Sequence, residues 1–190
     1  MSKTTKINYK TLTSKQIEEE LKREVYKSKY SKILKSTIYS LITIVAVAIL
    51  IATMMLPVLQ VSGSAMSPIY NTGDIVVSVK TKKLKSGDII AFYHGNKILI
   101  KRVIAGPGSW VTIDDDGNVY VDNEKLNEKY IKEKKLGNSD VEYPYQVPDG
   151  HWFVLSDARD NLIDSRNSEV GCVSEDSLIG KILFRIWPFE

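Results

Sequence analysis

The pattern of apolar and polar positions changes twice along this chain. In the first 35 residues, Ile17, Leu21 and Val25 recur at four-residue spacing within a polar background, which predicts a helix. Thr13 followed by Gln16 is a capping-box pattern for its start. Charge then vanishes: no charged residue stands between Lys35 and Asp74, and IYSLITIVAVAILIATMMLPVL (38–59) is apolar all round. A core helix would keep a polar stripe, whereas a bilayer core of about 30 Å needs roughly 20 residues of this kind. Pro57 lies near the outer end, where a helix breaks at little cost. The run starts too late and is too long for a cleaved leader, so it predicts a signal anchor.

Beyond the anchor the pattern becomes short runs of β-branched and aromatic residues between turns. IVVSVK (75–80), IIAFYH (89–94), KILIKRVI (97–104), WVTI (110–113), NVYV (118–121), WFVL (152–155) and ILFRIW (182–187) read as strands. Gly95-Asn96 separates two of them at hairpin spacing, and Asp116-Gly117 marks another turn. GDIVV at Gly73 and GDIIA at Gly87 form a small echo, two turn-to-strand entries. The polar segment 127–150 reads as a looped excursion. The expected fold class is mainly β, an antiparallel sheet domain preceded by one N-terminal transmembrane helix. The expected division is a basic helical arm (1–35), an anchor (36–59) and a β-domain (60–190).

Charge gives this division a direction. Residues 1–35 hold ten Lys/Arg against four Glu, while residues 36–190 hold sixteen against nineteen Asp/Glu. The basic balance therefore belongs to the arm. Lys22, Arg23, Lys27, Lys29, Lys32 and Lys35 place the N-terminus in the cytoplasm by the positive-inside rule, and the β-domain outside. The expected role of such an arm is contact with anionic lipid, with a partner-binding helix as the alternative. The mildly acidic main domain argues against nucleic acid as a partner. One cysteine, Cys172, with His94 and His151 far apart makes a zinc site improbable, and the expected place of Cys172 is the core.

Two segments carry candidate chemistry. VSGSAMSPIY (61–70) crowds serines, a glycine and a proline into one loop. In KILIKRVIAGPGS, strand alternation sets Leu99, Lys101 and Val103 on one face and Ile100, Arg102 and Ile104 on the other, so one of the two cations is expected on an apolar face. Burial lowers a lysine's pKa because water no longer stabilises the charge. A shift from about 10.4 to about 7–8 makes a general base at neutral pH, at a cost of roughly 4 kcal/mol. Serine–lysine pairs do acyl-transfer chemistry without histidine or aspartate.

Five segments, in order, resemble the type I (leader) signal peptidases, especially the short single-span form of Gram-positive bacteria. VSGSAMSPIY is similar to the nucleophile box: glycine, any residue, catalytic serine, methionine, any residue, proline. SGDIIAF resembles the next box, IKRVIAGPGS the lysine box, LSDARDNLIDSR the late box and GKILFRIWPF the usual ending. The likeness runs from about Leu41 to the C-terminus. It implies a single-pass cell-membrane protein that cleaves exported preproteins after small residues at −1 and −3. A serine attacks, a neutral lysine takes its proton, and backbone amides hold the oxyanion. No metal or organic cofactor takes part. The implied partners are preproteins and the lipid bilayer. The resemblance places the general base at Lys101 and substrate pockets at Met66, Leu99 and Ile100. Gly63, Pro68, Asp157, Arg159 and Ser165 are implied as structural residues near the site, with Asp164 and Arg166 as an ion pair.

Counted from Met66 and Pro68, the nucleophile position is Ala65. The chain as written is therefore expected to be silent. Ser62, Ser64 and Ser67 are poor substitutes, since a misplacement of about 1 Å can cost roughly 100-fold in rate; they serve loop backbone groups. Further departures are Ile69 for threonine, Ser156 and Ala158 in the late box, and Leu162 for the serine that usually hydrogen-bonds the lysine. Ser165 could supply that hydroxyl if its neighbour shifts. Two readings stay open: an active enzyme altered at one residue, favoured by the retained Lys101, or a natural relative that lost catalysis and kept preprotein or pilin binding.

Overall fold

The computed structural model describes residues 13–137, 139–161 and 163–188. Helix α1 runs without a break over Ser14–Met55. The Thr13 N–H donates to Gln16 Oε1 at 3.0 Å, the reciprocal half of the capping box. At 1.5 Å per residue, α1 is about 63 Å long, and it runs unbroken across the boundary expected at residues 35 and 36. Its most apolar 18-residue window has a mean hydropathy of 2.3 with none of it buried in protein, and it is a candidate membrane span. On the arm, Lys22, Arg23 and Lys27 pair with glutamates one turn away. Lys29, Lys32 and Lys35, nearest the apolar stretch, have no acidic partner among the described residues. The helix stops short of position 59. Pro57 has no N–H to continue it, and its carbonyl instead accepts the Ser78 N–H and hydroxyl.

From Thr53 onward the chain forms a separate unit. Its strands are β1 (Val58–Gln60), β2 (Ile75–Val79), β3 (Ile89–His94), β4 (Lys97–Ala105), β5 (Trp110–Ile113), β6 (Val119–Val121), β7 (Glu124–Lys125), β8 (Tyr145–Gln146), β9 (His151–Leu155), β10 (Val173–Ser174) and β11 (Leu178–Trp187). Seven form one sheet in the order β1-β2-β11-β3-β4-β9-β10, and four form a second in the order β7-β6-β5-β8. Every pairing is antiparallel.

The seven strands read from the sequence all form, and β3 and β5 match to the residue. Gly95 and Asn96 make a two-residue hairpin closed by the His94–Lys97 pair. The glycine–aspartate echo is one turn used twice. Asp74 N–H donates to Asn71 O, and Asp88 N–H to Lys85 O, both at 3.1 Å. Gly73 and Gly87 supply φ values of +97° and +93° at the third position, the left-handed conformation that a type II turn needs there. Each aspartate then reaches β11, Asp74 to Arg185 and Asp88 to Lys181.

The core explains why β9 is a continuous apolar run rather than an alternating one. Trp152 and Val154 pack with Ile90, Phe92 and Val103, while Phe153 and Leu155 pack with Ile104, Val111, Ile113 and Val119. A strand buried on both faces has no polar side to show. The 127–150 excursion is more than a loop. Its Tyr145–Gln146 segment pairs with β5, Val147 joins the core, and Glu128 is buried. Cys172 packs against the same core, and burial pushes its thiol up to about 11.

Gly180 lies on β11 between β2 and β3, where a Cβ would stand 2.5 Å from the Val79 carbonyl oxygen. Backbone cannot yield as a side-chain tip does, so Gly180→Ala should cost about 1–3 kcal/mol. Denaturant unfolding of the full chain checks this; a midpoint equal to that of the parent would mean the β2–β11 spacing is looser than described.

Candidate functional site

The loop after β1 is held closed from several sides. Val61 N–H donates to Asp74 O at 2.8 Å, and Gly73 N–H returns to Val61 O at 3.0 Å. Inside it, Ser67 N–H reaches Ser64 O and Tyr70 N–H reaches Met66 O. Gly63 has φ +86°, a conformation that side chains disfavour. Met66 is buried, and the Ser67–Pro68 bond is cis. The Ala65 carbonyl accepts the Ala158 N–H at 2.9 Å. This tie joins the loop to the 156–166 segment through backbone alone, which is why an alanine serves at position 158.

Lys101 stands on β4 beside Ile90 of β3 and is only 2% exposed. Its Nζ donates to Ser156 Oγ at 2.8 Å. Burial lowers its pKa to about 8; Asp164 opposes that shift, Arg166 adds to it, and Asp157 opposes it. Arg102, one residue on, is buried as well, so both of these neighbouring cations leave water rather than one. Arg102 is tolerated because Asp157 Oδ1 accepts from its Nε at 2.7 Å, Gly87 O accepts from Nη1, and the Tyr130 ring lies 4.0 Å from its guanidinium carbon.

The late segment is built on arginines. Arg166 donates through Nε and Nη2 to the two carboxylate oxygens of Asp164, at 3.0 and 2.9 Å. It also donates to the carbonyls of Leu136, Arg159 and Asn161. Burial pushes the Asp164 carboxyl up, but Arg166 and the Ser156 N–H together hold it below its ordinary value. Arg159 pairs with the buried Glu128 of the excursion and donates to Ser156 O at 2.9 Å. Ser165 does not serve the lysine. Its hydroxyl accepts from Val154 N–H at 2.9 Å and donates to Gly171 O at 2.8 Å, which occupies it elsewhere. The hydroxyl on Lys101 is that of Ser156, which the sequence marked only as a departure. Leu162 lies outside the described residues.

These elements meet at one cleft of about 40 Å³, lined by residues 60–63, Ala65, Met66 and 98–101. It brings together Gly63, Ala65, Met66, Leu99, Ile100 and Lys101. Asp157, Arg159, Asp164, Ser165 and Arg166 do not line it; Asp164 reaches it indirectly, through the Ser156 N–H. A larger polar cavity of about 210 Å³ touches Ser67 and Asp157–Asp160 but carries Lys132, Glu133 and Lys135 at its walls. Lys101, whose pKa burial lowers, is among the residues that line the smaller cleft.

Residues 34–187 match the family described as Signal peptidase, peptidase S26, and the chain belongs to that family. It is 34% identical to Signal peptidase I T of Bacillus subtilis (strain 168), over 80% of this chain and 84% of that protein. It is 30% identical to a Staphylococcus aureus (strain Mu50) protein named Inactive signal peptidase IA, over 80% of this chain and 90% of the other. Among solved structures it is similar to a signal peptidase I from Enterococcus faecalis V583, with 30% identity and a TM-score of 0.44. That match covers 55% of this chain and 100% of the other.

The depressed lysine has a consequence for stability. Between its folded value of about 8 and its ordinary 10.5, the unfolded chain holds the proton and the folded chain does not, so stability rises with pH across that window. Relative to Lys101→Met, the parent should gain roughly 3 kcal/mol on going from neutral pH to about 10.5. Unfolding curves of both proteins through that range measure it. Parallel responses would place the amine in solvent.

Proposed function

We propose that the cleft binds the signal-peptide end of exported preproteins, with small residues at −1 and −3, on the serine–lysine framework of signal peptidase I. We infer further that Ala65 leaves the chain catalytically silent as written. The observation that carries this reading is that the buried Lys101 and Ala65 line the same cleft. The small volume of that cleft suits alanine-sized side chains, and Met66, Leu99 and Ile100 give it apolar walls.

With serine at position 65, the proposed reaction runs as follows. Neutral Lys101 takes the hydroxyl proton as the oxygen attacks the scissile carbonyl. The ammonium then protonates the leaving amine, and water, deprotonated by the same lysine, releases the acyl group from the serine. A pKa of about 8 leaves roughly a tenth of the amine neutral at pH 7, enough for a base and still able to act as an acid. With alanine there is no oxygen to attack, and only binding remains. The topology proposed for this work puts the arm in the cytoplasm, its cations against anionic lipid, and the β-domain outside, where exported substrates emerge.

A second reading is a natural non-catalytic relative that binds or assembles exported proteins. A Staphylococcus aureus relative named as an inactive signal peptidase favours it. It shares the binding step and differs in the chemistry.

Ala65→Ser in membranes or micelles should cleave a preprotein bearing an Ala-x-Ala site, while the parent does not. Adding Lys101→Met should reduce that cleavage at least ~1,000-fold with the fold retained. Gel analysis of preprotein processing reads both. A folded Ala65→Ser protein that cuts no exported substrate would sink the enzyme reading and leave the binding one.

A further inference from the structure

We propose that Ser156 is the positioning residue for Lys101: its hydroxyl fixes which way the amine points into the cleft. The inference rests on the serine–lysine reading of the site and adds a residue to it.

The hydroxyl is placed independently of the lysine that uses it. Ser156 follows β9 directly. Its N–H donates to Asp164 Oδ2 at 2.8 Å, and its carbonyl accepts from Arg159 Nε at 2.9 Å. Asp164 is in turn gripped by Arg166, and Arg159 by Glu128. Two buried ion pairs therefore hold the backbone of Ser156 from both sides. The side chain between them is completely buried, and Lys101 Nζ is the one hydrogen-bond partner of its hydroxyl among the described residues.

A merely structural serine at this point is poorly explained. A buried hydroxyl loses its water and needs a partner, and a glycine or alanine would close the same turn without that need. The lysine gains more from the contact. A neutral amine has two N–H groups and one lone pair, and rotation about the Cε–Nζ bond is otherwise unrestricted. Committing one N–H to Ser156 leaves the lone pair and the other N–H directed away from the 156–166 segment. Lys101 lines the cleft and no residue of that segment does, which supports the cleft lying on that side. The charges facing the amine are Asp164, Arg166 and Asp157, all from the segment after β9. β3 sets Ile90 beside it, and the 61–73 loop contains no charged residue. None of these charges hydrogen-bonds Nζ, so orientation falls to the hydroxyl.

The test has one arm that needs no catalysis. In the full chain with lysine carbon labelled, in micelles, the Lys101 signal is identified by its loss in Lys101→Met and titrated by NMR. The Ser156 oxygen accepts more strongly from ammonium than it interacts with the neutral amine, so Ser156→Ala and Ser156→Gly should both lower the midpoint. A fall of about half a pH unit or more is expected, roughly threefold in proton affinity, with the alanine variant still unfolding cooperatively at a somewhat lower midpoint. An unmoved midpoint in both variants overturns the proposal.

The second arm uses the Ala65→Ser chain. There Ser156→Ala should lower kcat about 10- to 100-fold, leave KM for the preprotein within about twofold, and move the rising limb of the pH–rate profile to lower pH. Unchanged kcat and an unchanged profile would remove Ser156 from the mechanism. Should Ala65→Ser prove inactive in every context, the enzyme reading falls and the titration alone decides whether Ser156 positions the amine.

Discussion

The structure turns on the contact between the Lys101 amine and the Ser156 hydroxyl at 2.8 Å, made where almost no solvent reaches. Desolvating an ammonium costs several kcal/mol even after relaxation, and one hydrogen bond to a charged group returns about 1.5–3. Burial therefore wins and the proton is held weakly. Asp164 keeps that imbalance from growing, since it opposes the shift while Arg166 adds to it. A lysine used as a base needs this middle position. Full compensation would lock the proton on, and no compensation would expel the side chain.

The ion pairs around the contact act on geometry rather than on stability. Arg102 with Asp157, Arg159 with Glu128 and Arg166 with Asp164 are all buried. Such pairs contribute little net free energy against apolar replacements, although losing one partner is expensive. What they do here is hold residues 156–161 and 163–166, which form no helix or strand, against β4 and the 127–150 excursion. That segment offers two groups to the site, the Ser156 hydroxyl to Lys101 and the Ala158 N–H to the Ala65 carbonyl. Both halves of the cleft are thus positioned by one scaffold of arginines.

Much of the β-domain was legible because long strands carry β-branched runs bounded by glycine turns. The strands that were not legible are short, β1, β7, β8 and β10 having two or three residues each, and none carries a β-branched and aromatic run like the Val-Tyr-Val of equally short β6. β1 was hidden further by the apolar run it continues, since Leu59 packs in the sheet and reads no differently from an anchor residue. The late segment shows the same limit at the level of one atom. Two departures from the family pattern, Ser156 gained and Leu162 without a hydroxyl, look unrelated in sequence. Ser165 lies closer to Leu162 along the chain, but its hydroxyl is committed to Val154 and Gly171.

By itself the sequence determined the local things: an uncharged span long enough for a bilayer, a basic arm before it, strands where alternation or apolar runs are long, and a loop whose spacing leaves alanine at position 65. These depend on neighbours along the chain, where side-chain type and period carry the physics. Only the tertiary structure decided that Lys101 and Arg102 are both buried, that 127–150 contributes a strand and a buried glutamate, and that the amine's partner is Ser156. Burial and hydrogen bonding are set by what arrives from distant positions. Lys101 and Ser156 are 55 residues apart, and no local pattern states which hydroxyl will meet which amine.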